Sequence, residues 1–133
     1  MIGGQLMIRM AFAVVMLLCM QQAASASSMQ RILAKLAPEE RAHQACAIKG
    51  LPIVKKHPQL KRADRIKSSI LSRAVLDGTH LEAKGGAIRS GGHWFAVSYA
   101  CELSADYMQA QTFQFEMGKE IPEDRWDELG LWP

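Results

Sequence analysis

From His93 to Leu103 the chain alternates with a period of two. His93, Phe95, Val97, Tyr99, Cys101 and Leu103 occupy one side, and Trp94, Ala96, Ser98, Ala100 and Glu102 the other. That is the pattern of a strand with one apolar face, and Cys101 falls on the face that a core would cover. A loop at Ser104-Ala105-Asp106 would pair Leu103 with Tyr107, Val97 with Phe113 and Phe95 with Phe115 in a following antiparallel strand, burying aromatics together. Before this strand, Gly85-Gly86 and Gly91-Gly92 bracket four residues. The first pair suits a bulge and the second a tight hairpin. A phosphate-cradling loop would need a helix after the glycines, and His93-Trp94-Phe95 reads as strand instead.

Upstream the period changes to that of a helix. Ser27 and Gln30 have capping-box spacing, and Met29, Ile32, Leu33 and Leu36 follow at helical intervals. Pro38 is well placed as the first residue of a second helix, with Glu39 and Glu40 at the positive end of its dipole. Ala42, Ala45 and Cys46 form its small-residue stripe, and Gly50 and Pro52 predict an end or a kink near Gly50. In the stretch 64–76, Ile66, Ile70, Leu71, Ala74 and Val75 fit a helix better than a strand. At the other end, Ile121-Pro122-Glu123-Asp124 through Gly130 predicts a short helix that lays Trp126 and Leu129 on the sheet, with Trp132 beside them or free.

The first 26 of the 133 residues follow a different logic. Arg9 precedes an apolar run from Met10 to Met20, and Ala24-Ser25-Ala26 supplies small residues at the spacing of a signal-peptidase site. The run is too short for a spanning helix, which needs roughly 20 residues, so we expect cleavage, a periplasmic or secreted chain from Ser27 to Pro133 folded as one domain, and no stable membrane span afterwards. Cys19 would leave with the leader. Cys46 and Cys101 remain, an even pair in an oxidising compartment, and a disulfide between them would staple the second helix to the sheet. Neither cysteine belongs to a CxxC motif.

Charge is divided along the chain. Residues 27–89 hold 13 basic and 5 acidic side chains, a balance of +8, whereas residues 90–133 hold 2 and 8, a balance of −6. Lys55, Lys56, Lys61, Arg62 and Arg65 mark the basic stretch, and together with Trp94, whose neighbours Ala96, Ser98 and Ala100 would leave the indole accessible, they are the candidate binding residues. Such a surface would attract an anionic envelope component, such as lipid A phosphates or the acidic parts of cell-wall polymers, or another envelope protein. Nucleic acid is not expected as a partner.

Catalytic signatures are sparse. His43 and Cys46 are three apart on a helix, but two ligands make a weak metal site, and neither a metal nor another cofactor is expected. No serine has the flanking glycines of a nucleophile elbow. His93 is the one acid–base candidate, and the pairing above sets Met117 rather than a carboxylate opposite it.

Several motifs in order carry a resemblance: Leu36-Ala37-Pro38-Glu39-Glu40-Arg41 leading to Cys46, Gly78-Thr79 before Gly85-Gly86-Ala87-Ile88-Arg89-Ser90, His93-Trp94-Phe95 leading to Cys101, and Phe113-Gln114-Phe115 before Ile121-Pro122 and Trp126. Over residues 34–130 the chain resembles the domain-of-unknown-function 930 family, small exported alphaproteobacterial proteins. The resemblance implies extended structure at 64–71, against the spacing, and a second helix longer than Gly50 and Pro52 suggest. It brings no activity. The expected architecture is α+β, with N-terminal helices on an antiparallel sheet, a short C-terminal helix and one helix-to-sheet disulfide. The expected role is a non-catalytic exported binding or structural module, with a small periplasmic hydrolase of cell-wall or lipid substrates as the alternative.

Overall fold

A computed structural model describes residues 27–133. The signal segment and its cleavage site lie outside the described residues. The chain divides into two compact units, one ending at Lys35 and one running from Leu36 to Pro133. In the first, residues 27–35 are helical (α1), where the capping-box spacing places a helix.

The second unit opens with α2, Pro38–Val54, which begins on its proline and carries Glu39 and Glu40 in its first turn. Its buried residues, Ala42, Ala45, Cys46, Gly50 and Val54, form one stripe. The helix neither stops nor breaks at Gly50, contrary to the expectation from its sequence. Gly50 is where α2 touches the sheet: a Cβ there would lie 2.6 Å from the Phe113 ring. Pro52 is tolerated because the helix closes two residues later, its last turn finished by Lys55 N–H to Leu51 and His57 N–H to Val54.

Five antiparallel strands follow: β1 (Ala63–Lys67), β2 (Val75–Asp77), β3 (His80–Ser90), β4 (His93–Leu103) and β5 (Ala110–Glu120). Their order is β1-β3-β4-β5, with β2 beside the other half of β3. Residues 64–76 are therefore not a helix. They form β1, a bend and β2, and the extended conformation implied for 64–71 holds only as far as Lys67. The bend is fastened to the sheet, since the N–H groups of Ile70 and Leu71 both donate to the Gly85 carbonyl at 2.9 and 2.7 Å. The β3–β4 register shifts there, between Ala83 and Gly86. A Cβ on Gly85 would meet Ser72 N at 2.3 Å, so the bulge needs its glycine for close approach. The second glycine pair makes the hairpin turn, with φ of 60° and 78° at Gly91 and Gly92 between the paired Ser90 and His93.

The β4–β5 pairing differs from the expected one. Cys101 faces Phe113, Tyr99 faces Phe115, Val97 faces Met117 and Leu103 faces Ala110. The connection is longer than three residues because it builds its own hydrogen bonds. Ser104 N–H donates to the Gln109 carbonyl, the Asp106 carboxylate accepts from Met108 N–H, and Tyr107 adopts a φ of 60°.

Each sheet face carries a cluster of buried residues, the second only at the end around Trp94. On one, α2 packs over Ile66, Ile88, Val97, Tyr99, Cys101 and Phe113. The Cys46–Cys101 disulfide joins helix to strand there, with Cα atoms 6.0 Å apart and both residues buried. On the other face, Ile121, Trp126 and Leu131 pack on Ala87 and Trp94. The C-terminal segment is a 3₁₀ turn, Glu123–Arg125, leading to α3, Trp126–Leu129, and ends on Gly130 in the left-handed conformation.

Candidate functional site

The C-terminal segment decides which aromatic is available. Trp94 is fully buried, which corrects its assignment as a contact surface. Small neighbours on its strand do leave room for a large group, and the chain's own C-terminal segment fills it. The Trp94 indole N–H donates to the Trp132 carbonyl at 2.6 Å, and the Trp132 ring meets the Trp94 ring edge-on at 5.7 Å. Trp132 instead remains 40% exposed.

Around Trp132 the strands gather cations. The Lys67 ammonium lies 4.5 Å from its ring centroid, and the Arg89 and Arg65 guanidinium carbons lie at 5.5 and 6.0 Å. A bulge in β1 between Ala63 and Arg65 produces this arrangement. Ala63 and Ile66 both turn into the core beneath α2, so Arg65 and Lys67 project from the opposite face. Arg89 is already committed: it donates to both Asp64 carboxylate oxygens at 2.9 and 2.8 Å and to the Pro133 main-chain oxygen at 3.1 Å. The Arg89 hydrogen bond holds the Asp64 carboxyl below its usual range, and Asp64 in turn raises the guanidinium further. Neither Arg65 nor Lys67 makes an ion pair among the described residues, although the charge of Arg65 helps to lower the Asp64 pKa.

The remaining candidates separate. Lys55, Lys56, Lys61 and Arg62 are all exposed. Lys55 and Lys56 follow α2, in the helical layer, whereas Lys61 and Arg62 lead into β1, and the Arg62 guanidinium lies beside the Gly91 turn. The structure thus joins Arg65 to Lys67, Arg89 and Trp132, and does not bring Lys55 and Lys56 into that cluster. The sequence does not mark Trp132 as a contact residue, because its position depends on a hydrogen bond from a buried Trp94, which no local pattern reports.

Histidines form three pairs. His93 Nδ1 and Glu120 Oε1 are 2.7 Å apart, a contact the expected register excluded, and both side chains are more than half exposed. His80 meets Glu102 across β3 and β4. His43 Nδ1 and Ser68 Oγ are 2.7 Å apart beside a shallow depression of about 310 Å³ that Glu40, Gln44 and Tyr99 also line. Burial pushes the Tyr99 phenol up to about 12, an effect moderated by its hydrogen bond with Ser68, so it stays protonated. No carboxylate pairs with His43 among the described residues, which leaves this pair without the orienting group of a triad. Among the described residues no cluster of three or more His, Cys, Asp or Glu is arranged for a metal ion, and no helix is long and apolar enough to cross a membrane.

Residues 33–131 match the model of a family described as Domain of Unknown Function (DUF930). The chain belongs to that family. No curated protein and no solved structure matches it. The matched region of this DUF930 member contains α2, all five strands, both disulfide cysteines and α3, and it ends one residue before Trp132.

Proposed function

We propose that this chain is an exported, non-enzymatic module that binds an anionic component of the cell envelope, through the basic β1 surface rather than through a cleft. The observation that carries the reading is the convergence of Arg65 and Lys67, two cations that form no ion pair among the described residues, on the half-exposed Trp132. Unpaired cations on a firmly held strand attract anions at long range and release counterions on contact. Export draws support from the Arg9-led apolar run with Ala24-Ser25-Ala26, and from a disulfide of the kind that persists in oxidising compartments.

Retention of the purified protein on immobilised lipopolysaccharide tests the binding. It should weaken steeply as salt rises, and should fall when Arg65 and Lys67 are both replaced by glutamine. Retention independent of salt, or absent at low ionic strength, removes the reading. Cell fractionation tests the address, with a disulfide-bonded chain starting at Ser27 expected outside the cytoplasm.

A small hydrolase of cell-wall or lipid substrates has one observation in its favour, the 2.7 Å His93–Glu120 pair. A general base acts on a substrate held in place, and this pair is solvated, with side chains 63% and 51% exposed. Binding is therefore the better reading.

A further inference from the structure

We infer that Trp132, Arg65 and Lys67 form one subsite for a phosphorylated sugar, with the two cations taking the phosphate and the indole the apolar face of the ring. This inference rests on the proposed binding of an anionic envelope component and names the group recognised.

Three observations lead to it. The first is that Trp132 is held from behind. Trp94 donates to its carbonyl at 2.6 Å and Arg89 to the next main-chain oxygen at 3.1 Å, while the Asp64 carboxylate fixes Arg89 through two hydrogen bonds. These bonds anchor the main chain, Trp94 braces the ring edge-on at 5.7 Å, and the ring still remains 40% exposed. A ring fixed before binding loses little entropy on contact. The second is charge. Asp64 is ion-paired with Arg89 and also feels the charge of Arg65, so three cations share one carboxylate and the surplus near the indole falls on Arg65 and Lys67. A phosphomonoester, with a charge of about −1.5 to −2 near neutral pH, matches that surplus, whereas a carboxylate leaves half of it. The third is chemistry. A guanidinium fork and an ammonium together offer donors to several phosphate oxygens, and an indole offers a flat apolar surface to a sugar's C–H face.

The test is a titration of the disulfide-bonded protein with glucose 1-phosphate, glucose, inorganic phosphate and glucuronate, followed through the tryptophan indole N–H signals in nuclear magnetic resonance. Trp94 and Trp126 commit their indole N–H groups to the carbonyls of Trp132 and Ile121, which distinguishes their signals from that of Trp132. Glucose 1-phosphate should move the Trp132 signal and bind more tightly than the other three. Arg65→Gln and Lys67→Gln should each weaken it by about tenfold or more, as loss of a hydrogen bond to a charged group does. Trp132→Leu should weaken glucose 1-phosphate while leaving inorganic phosphate unchanged. Equal binding of inorganic phosphate would overturn the sugar half, and equal binding of glucuronate would overturn the phosphate half. Absence of glucose 1-phosphate binding in a protein still retained on lipopolysaccharide would overturn the subsite and leave the broader reading standing. Loss of both would remove the broader reading too.

Discussion

Arg89 on β3 grips Asp64 on β1 with two hydrogen bonds, 2.9 Å from Nε and 2.8 Å from a terminal nitrogen, across the point where β1 is bulged. The bulge makes the contact possible. Ala63 and Ile66 are three apart yet share the core face, so the extra residue leaves Asp64 free to reach Arg89. The same irregularity brings Arg65 and Lys67 to the Trp132 ring.

This pair gives the fold a pH dependence. The folded state lowers the Asp64 pKa, chiefly through the Arg89 hydrogen bond, relative to an unfolded value of about 3.9. The stabilisation is therefore complete above the unfolded value and lost as pH falls through the lowered one. Because Asp64 is largely exposed, the effect is modest. Thermal melts of the native protein and Asp64→Asn should differ slightly at neutral pH and converge in strong acid. A difference that persists in strong acid would show that the asparagine acts on something other than this ion pair.

The disulfide should dominate stability. Cys46 and Cys101 enclose a separation of 55 residues, which in the chain-entropy account corresponds to roughly 4 kcal/mol, with about 2–5 kcal/mol the usual loss on removal from small exported domains. Cys46→Ala with Cys101→Ala should lower the denaturant midpoint strongly. An unchanged midpoint would mean that the α2–sheet core is sufficient without the bond.

Gly50→Ala should destabilise the fold although alanine is the better helix former. The gain in propensity is about 1 kcal/mol, and overpacking costs typically 1–3 kcal/mol. The added Cβ would lie 2.6 Å from Phe113, a ring stacked on Tyr99 at 4.8 Å, with little space to retreat. Denaturant unfolding decides the sign, and a stabilised variant would show that the ring gives way.

The two tryptophans that touch should behave differently. Trp94→Ala empties a fully buried site and should cost about 3–5 kcal/mol, as core aromatic truncations do. Trp132→Leu should keep most of the stability and weaken the binding of glucose 1-phosphate. Equal destabilisation by both would make Trp132 a core residue.

Much of this architecture is legible in the sequence because local rules and the tertiary structure agree. The alternation from His93 to Leu103 places Cys101 inward, the alanine stripe of α2 places Cys46 opposite, and the two glycine pairs mark a bulge and a turn. Local rules failed where distant contacts took over. Gly50 resembles a helix stop until Phe113 is seen against it, and helical spacing at 64–76 yields to pairing with β3 and to the Gly85 carbonyl. The β4–β5 register depended on a loop closed by Ser104 and Asp106, whose hydrogen bonds an estimate of minimum loop length does not include. Of the candidate site, the basic stretch was readable from charge alone. Trp94 reads as a surface residue because alternation identifies a strand's second face but not the segment that covers it, and the exposure of Trp132 is hidden for the same reason.

The claim that the β1 surface is the contact surface is tested most directly by mapping backbone amide shifts of the disulfide-bonded protein as lipopolysaccharide fragments are added at low and high salt. The account predicts salt-sensitive shifts centred on Arg62 to Lys67, Arg89 and Trp132. Shifts centred on His93 and Glu120, on the depression beside His43 and Ser68, or on the exposed face around Ser98 and Gln114 would contradict it.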